Sequence, residues 1–364
     1  MANTILFGLV LVVALYVSAA QQANVVVVTG DNQNIIQLNH AHTMDIVQTI
    51  QHSEKKLFQV LSLATNVYVS AVSTPSNYPQ AEILMYEVQS GTNTLKFVQK
   101  ATFAPDCGQP VALTASYDYT DQAVLAMTCS DTEWVVVMDA WTLSVDQIVG
   151  KPRIKDITIT GITESALTAK YLYVTYGISA VDNDDKGLLV QYSRTTPYEI
   201  LNTLVVRGQY SHLLIAGGSN LFLTTSGNGP SYLLQLNPNT LEEIDRRSPK
   251  NLDFLRMTMS PDQLSMYMYV QNPNGRRGKI RSFDQRSYPA QKYCPDVEID
   301  LPPGTQSIVV EGYLFIRTAG TVTRLNLVDE TGCPSPDVQG NIILNDDVVY
   351  SGVAMACLEC LPIA

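Results

Sequence analysis

The sequence predicts an all-β protein built from a repeated four-stranded unit. Three observations carry this: the composition, a recurring hairpin pattern, and the spacing of that pattern along 364 residues. Hydrophobic residues make up 46% of the chain and charged ones only 16%, with β-branched residues and 19 Tyr prominent. Such a chain suits a large core faced by pleated, half-buried strands.

The hairpin is seen in EWVVVMDAWTLSVDQIV (133–149), SYLLQLNPNTLEEID (231–245) and NIIQLNHAHTMDIVQTI (34–50). Each alternates apolar residues, reaches Asp139, Asn237 or Asn39, turns, and restarts at Thr142-Leu143, Thr240-Leu241 or Thr43-Met44. The Asp or Asn side chain accepts from backbone two residues on, and the β-branched Thr is expected to open the return strand. A fourth copy, EILMYEVQSGTNTLKFVQ, lengthens the turn and keeps Thr94-Leu95; weaker copies surround Thr196, Ser287 and Thr331. The anchors at 43, 94, 142, 196, 240, 287 and 331 lie 44 to 54 residues apart. Two further strands precede each hairpin, as PVALTASYD and QAVLAMTCS do, so each unit has four strands. That period predicts a seven-bladed β-propeller of four-stranded antiparallel blades. The first hairpin is preceded only by NVVVVTG, and the C-terminal DDVVYSGVAM supplies the missing strand. The ring is thus expected to close by a C-terminal strand joining the N-terminal blade, which hides two sheet edges.

The chain opens with an apolar run, Ile5 to Val17, followed by the small residues Ser18, Ala19 and Ala20. Residues 1–20 read as a secretory signal peptide, too short in its apolar part to span a bilayer. Residues 21–364 are then a single propeller domain of a secreted, extracellular protein. No later segment approaches the ~18 apolar residues of a membrane helix. A net charge of −11 disfavours nucleic acid as a partner.

Six cysteines in a secreted chain suggest disulfides that reinforce the fold. Cys107 in an entry loop and Cys129 at the end of a second strand share one face of a blade. Cys294 and Cys333 fall on the opposite face of neighbouring blades. The expected pairs are Cys107–Cys129 and Cys294–Cys333. Cys357 and Cys360 form a CxxC that reads as a terminal disulfide in an oxidising compartment; a redox motif or half a zinc site are the alternatives.

Gly-x-Ser-x-Gly, P-loop, His-Glu-x-x-His and Gly-x-Gly-x-x-Gly motifs are all missing. Aligning the inner strands places a polar residue at each start: Lys56, Gln109, Asp156, His212, Asp253, Gln306 and Asp347. In one register these would surround a channel mouth and hold a cation or polar ligand; the competing reading is that polar residues begin buried strands because loop ends are wet. Asp182, Asp184 and Asp185 before Gly187 resemble a calcium loop, but Lys186 stands where an oxygen ligand is usual and Ser193 where an EF-hand has Glu. A solvated turn is the competing reading, so the cofactor is open, with Ca²⁺ as the candidate. Residues 246–292 hold ten Lys or Arg, including Arg246, Arg247, Arg276, Arg277, Lys279, Arg281 and Arg286, against three Asp. This basic sector suits an anionic glycan or an acidic protein surface.

TMSPDQLSMYMYV (258–270) resembles the Ser-Pro-Asp strand-turn-strand motif of YVTN-type and WD-repeat propellers, and WVVVMDAWTLSVDQIV resembles the YVTN-type hairpin. Gly-His and Trp-Asp dipeptides of the WD type are missing. The resemblance implies the propeller fold. Such superfamilies host binding platforms, lactonases and dehydrogenases alike. The expected function is a non-catalytic binding or scaffold module for an extracellular protein or glycan. The alternative is a lactonase- or hydrolase-type enzyme using Asp156, His212, Asp253 and Asp347 at the channel mouth, on a metal or water.

Overall fold

The structure is a computed structural model describing residues 25–356, apart from 31–34, 42, 74–79, 104–106, 118–120, 180–185, 217–219, 227–230, 249–252, 261–263, 272–277, 285–290, 293, 300–305, 311, 319–320, 329–332 and 344–352. Its strands pair into seven antiparallel sheets. Sheet one orders Val353–Ala356, Val25–Gly30, Ile35–His40 and Ile46–Gln51. Sheet two runs Lys55–Leu63, Asn66–Ser73, Ala81–Val88, Leu95–Thr102, and sheet three Pro110–Tyr117, Ala123–Cys129, Trp134–Asp139, Val145–Val149. Sheet four runs Thr158–Leu167, Tyr171–Ser179, Lys186–Ser193, Ile200–Arg207, and sheet five Gln209–Ala216, Asn220–Ser226, Tyr232–Leu236, Glu243–Arg247. Sheet six begins Asp253–Met259, Ser265–Gln271, Gly278–Asp284, and sheet seven is Gln306–Val310, Tyr313–Thr318, Thr321–Val328, Cys333–Ile343. The first strand of each sheet touches its counterparts in the neighbouring sheets, which is a propeller arrangement of blades.

Six sheets have four strands; sheet six has five. Its outer strand is split into Gln291–Lys292 and Val297–Ile299, both paired with Gly278–Asp284. Cys294 and Pro295 stand between the pieces. Pro295 has no N–H for a ladder, and Cys294 is bonded to Cys333 of sheet seven. The other bridge, Cys107–Cys129, ties the entry of sheet three to its second strand. Cys357 and Cys360 lie outside the described residues, as does the 1–20 segment.

The middle strands are buried on both faces and so read as near-continuous apolar runs; Asn66–Ser73 and Ala81–Val88 are examples. The core is shared out between neighbours. Ile36 and Leu38 of sheet one pack with Leu57, Val67 and Leu84 of sheet two, and Val135 and Val137 of sheet three pack with Leu172, Val174 and Leu188 of sheet four.

The Thr-Leu turns have one repeated geometry. Met44, Leu143 and Leu241 adopt φ of 66°, 55° and 59°, each donating its N–H to His40, Asp139 or Asn237 O at 2.9 Å. The Thr hydroxyl of each turn accepts from the N–H two residues on at 3.3 Å. Three expectations change. Thr sits in the turn, not in the return strand, and His40, not Asn39, holds the place of Asp139 and Asn237. In the sheet-two turn Gln89 and Asn93 take these places at the same spacing, so the turn is not lengthened, and Thr92 rather than Thr94 stands where Thr43, Thr142 and Thr240 stand.

After each turn the outer strand carries a register shift that leaves Val47, Val98, Asp146, Leu201 or Ile244 unpaired. A bulge re-aims the side chain that follows it. In four of these strands that side chain is an amide reaching the next sheet's turn. Gln48 accepts from Leu95 N at 2.7 Å and donates to Leu95 O at 3.2 Å. Gln99 donates to Trp141 O at 2.7 Å, Gln147 accepts from Tyr198 N at 3.1 Å, and Asn202 donates to Asn239 O at 3.3 Å. Deeper in, Tyr68 OH donates to Ala140 O at 3.0 Å, Tyr173 OH to Pro238 O at 2.5 Å, and Arg324 of sheet seven to Ala41 O of sheet one at 3.0 Å.

Replacing Gln48, Gln99 or Gln147 by Ala should each lower unfolding stability by about 1 kcal/mol. The three losses should add in equilibrium denaturation, because the sites share no partner.

Candidate functional site

The first strands of sheets four, five and six carry an extra residue at Thr163, Ser211 and Leu255, and sheet four a second at Thr160. The residue that follows, Glu164, His212 or Arg256, stands opposite Thr175, Thr224 or Tyr269 of the second strand. Second-strand hydroxyls brace two of these bulges: Thr175 bonds the Thr163 hydroxyl at 2.7 Å and Glu164 O at 3.2 Å, and Thr224 bonds His212 O at 3.5 Å. Because the strands are neighbours, the three side chains meet.

His212 Nδ1 lies 3.0 Å from Glu164 Oε1 and 3.0 Å from Arg256 Nη1. Its Nε2 lies 2.9 Å from Met257 O and so donates to it. Glu164 Oε2 also accepts from Leu213 N at 2.8 Å, and Arg256 Nη1 is 3.7 Å from Glu164 Oε1. Glu164 and His212 expose 18% and 15% of their side chains, Arg256 34%. Burial works to raise the Glu164 pKa. The His212 ring, the Arg256 guanidinium and the Leu213 N–H outweigh it and hold the carboxyl below its ordinary range. With Nδ1 protonated the ring donates to Glu164; with Nδ1 bare it accepts from Arg256. Either way both ring nitrogens are engaged.

Of the residues aligned at the channel mouth, His212 alone joins this cluster among those whose side chains are described. It lies inside its strand, not at the start. Asp156 is exposed in a turn with φ of 61°, before Thr158–Leu167 begins. Gln109 acts through its carbonyl, which accepts from Ser130 N at 3.1 Å and Ser130 Oγ at 3.3 Å. Lys56 is exposed. Asp253 and Gln306 open the first strands of sheets six and seven, and Asp347 lies outside the described residues. Glu164 and Arg256 escaped the alignment; Glu164 is the single charge of its first strand, and Arg256 lies three residues inside the strand that Asp253 opens.

Asp182, Asp184 and Asp185 lie outside the described residues. Among the described residues no group of three or more His, Cys, Asp or Glu gathers as metal ligands would. In the basic sector, Arg246 bonds Glu243 at 3.1 Å and lies 5.1 Å over the Tyr232 ring. Arg247 bonds Asp245 at 2.8 Å, Lys279 meets Glu298 at 3.1 Å, and Arg281 meets Asp296 at 3.2 Å. Arg276, Arg277 and Arg286 lie outside the described residues.

No helix among the described residues is long and apolar enough to cross a membrane. No family model and no curated protein matches the chain. Solved structures do resemble it. A functionally unknown protein from Desulfotomaculum acetoxidans aligns with 13% identity and a TM-score of 0.65, covering 93% of this chain and 100% of that one. A protein of Bacteroides fragilis described as a "putative 6-phosphogluconolactonase" aligns with 13% identity and a TM-score of 0.64, over 92% and 98%. A chain of a nidogen/laminin complex aligns with 10% identity and a TM-score of 0.50, over 93% and 100%. At these identities the likeness is one of fold, and with the sheets described above it makes this chain a β-propeller.

Glu164 gives a signed pH dependence. Its folded pKa is depressed, so its contribution is present above the unfolded carboxylate value, about 4, and is lost as pH falls through the lower folded value. Denaturation titrations from pH 6 down to pH 2.5 should show a smaller fall in stability for Glu164→Gln than for the parent protein.

Proposed function

We propose that this protein is a secreted, non-catalytic binding propeller: one domain of seven blades over residues 21–364, closed by the C-terminal strand, which engages an extracellular protein. The closed state of the Glu164–His212–Arg256 cluster carries this reading. A general base needs a nitrogen or oxygen within reach of a substrate proton, whereas here both nitrogens of His212 and the carboxylate of Glu164 are taken up within the protein. The cluster spans three blades and acts as a bracket between them. Antiparallel pairing of Val353–Ala356 with Val25–Gly30 supports the closure. The ties of sheet seven to sheet one through Arg324 and of sheet one to sheet two through Gln48 support it further.

A protein partner is favoured over an anionic glycan, because described basic-sector residues such as Arg246, Arg247, Lys279 and Arg281 meet carboxylates. Large apolar side chains, among them Ile46, Phe97, Val145 and Ile200, stand exposed on the outer strands of sheets one to four. The nidogen/laminin neighbour is described in a protein complex, in line with such use of the fold.

The second reading, lactone hydrolysis at the same cluster, is favoured by the description of the Bacteroides neighbour. Assays with glucono-δ-lactone and its 6-phosphate separate the two. The binding reading expects no hydrolysis above buffer and a stability loss of about 2 kcal/mol in His212→Ala, from stranded buried partners. Hydrolysis by the parent protein that Glu164→Gln abolishes without loss of stability would overturn it.

A further inference from the structure

The repeat gives a way to tell side chains that build the scaffold from those that do not. The unpaired residue of the outer-strand bulge is Val47, Val98, Leu201 and Ile244 in sheets one, two, four and five, but Asp146 in sheet three. An apolar residue serves the bulge elsewhere, so the scaffold does not require this carboxylate.

Asp146 lines a cavity of about 460 Å³ between the sheet-three hairpin and the sheet-four segment 194–198. Gln122, Asp139, Arg194, Thr196 and Tyr198 also line it, over a floor that includes Val124 and Met138. The size falls within the range of small-molecule sites. Asp139 Oδ1 is filled by Trp141 N at 3.0 Å, Thr142 N at 2.7 Å and Thr142 Oγ1 at 2.8 Å, while its Oδ2 accepts from Gln122 at 3.1 Å. Burial pushes the Asp139 pKa up, but these donors prevail and keep it ionised at neutral pH. Thr196 Oγ1 reaches Asp146 Oδ2 at 3.4 Å. Arg194 is held across the sheet boundary by the carbonyls of Thr168 and Tyr117.

The wall therefore offers two carboxylates, a guanidinium, an amide and hydroxyls together. An anion would meet Asp139 and Asp146; an ammonium ion would meet Arg194. A neutral molecule carrying many hydroxyls meets neither conflict: its hydroxyls can give protons to Asp146, on which Thr196 makes only a long bond, and can accept from the Thr196 hydroxyl. We propose that this cavity binds a hexose-sized neutral sugar or polyol, with Asp146 as a direct acceptor of ligand hydroxyls. The site shares no residue with the Glu164 cluster and stands independently of the partner reading above.

Saturation-transfer NMR and calorimetry with the methyl glycosides of glucose, galactose and mannose test the proposal. At least one should bind saturably to the full protein, and Asp146→Val should weaken it by about tenfold, the worth of a hydrogen bond to a charged group. Asp146→Val restores the apolar residue of the other bulges and should keep the thermal midpoint; Asp146→Asn keeps the shape and should also weaken binding. Absence of saturable binding by all three glycosides, equal binding by both variants, or displacement of the bound glycoside by n-butylamine at equal concentration would overturn it.

Discussion

The architecture depends on an outer-strand bulge that swings an amide sideways into the next sheet's turn. Strand pairing satisfies backbone groups only within a sheet, and the apolar faces between sheets carry no direction of their own. The amides of Gln48, Gln99, Gln147 and Asn202 supply it. Gln48 addresses both the N–H and the carbonyl of Leu95, as a strand neighbour would. The turn must therefore present backbone groups outward at a fixed place. The left-handed residues Met44, Leu143 and Leu241 and the Thr hydroxyls beside them do this, and Leu143 and Leu241 are buried in the process.

A second set of bulges, on the first strands, does comparable work near the middle of the molecule. Ala112 occupies the position in sheet three that Glu164, His212 and Arg256 occupy in sheets four to six. A small apolar residue evidently serves the strand there. Charge at this position is thus a property of one side of the molecule, and its members solve one another's desolvation: the carboxylate takes a backbone N–H and the imidazole, and the imidazole takes a carbonyl. Removing any one leaves the others buried without that partner, which is why the cluster behaves as a bracket.

Much of this frame was legible in the sequence because the turn has strict chemical needs. The turns at Asp139 and Asn237 with their Thr142-Leu143 and Thr240-Leu241 anchors, and the pairs Cys107–Cys129 and Cys294–Cys333, could be placed from spacing and face alone. The frame slipped by one residue at Asn39, because the motif was anchored on side-chain type, whereas the turn is defined by which backbone closes on Met44; His40 meets that need as well as Asp139 does. Glu164 and Arg256 stayed hidden for a related reason. Aligning strands by their first polar residue assumes equal lengths, and the bulges at Thr163, Ser211 and Leu255 break that assumption. The split outer strand of sheet six was equally invisible to a period count.

Charge shows most plainly how sheet pairing overrules sequence order. The basic window 246–292 carries seven more positive than negative charges. Yet the carboxylates that meet Arg246, Arg247, Lys279 and Arg281 are Glu243, Asp245, Glu298 and Asp296, all just beyond its borders. Glu298 and Lys279 are cross-strand partners in the ladder, and Glu243 and Arg246 share one outer strand. A window drawn along the chain cuts such pairs apart and counts one side. Exposed pairs of this kind contribute little to stability, but they cancel the far field on which polyanion attraction depends. What such a surface offers a partner is then shape, apolar area and placed hydrogen bonds, which favours a protein surface or a neutral sugar over a polyanionic chain.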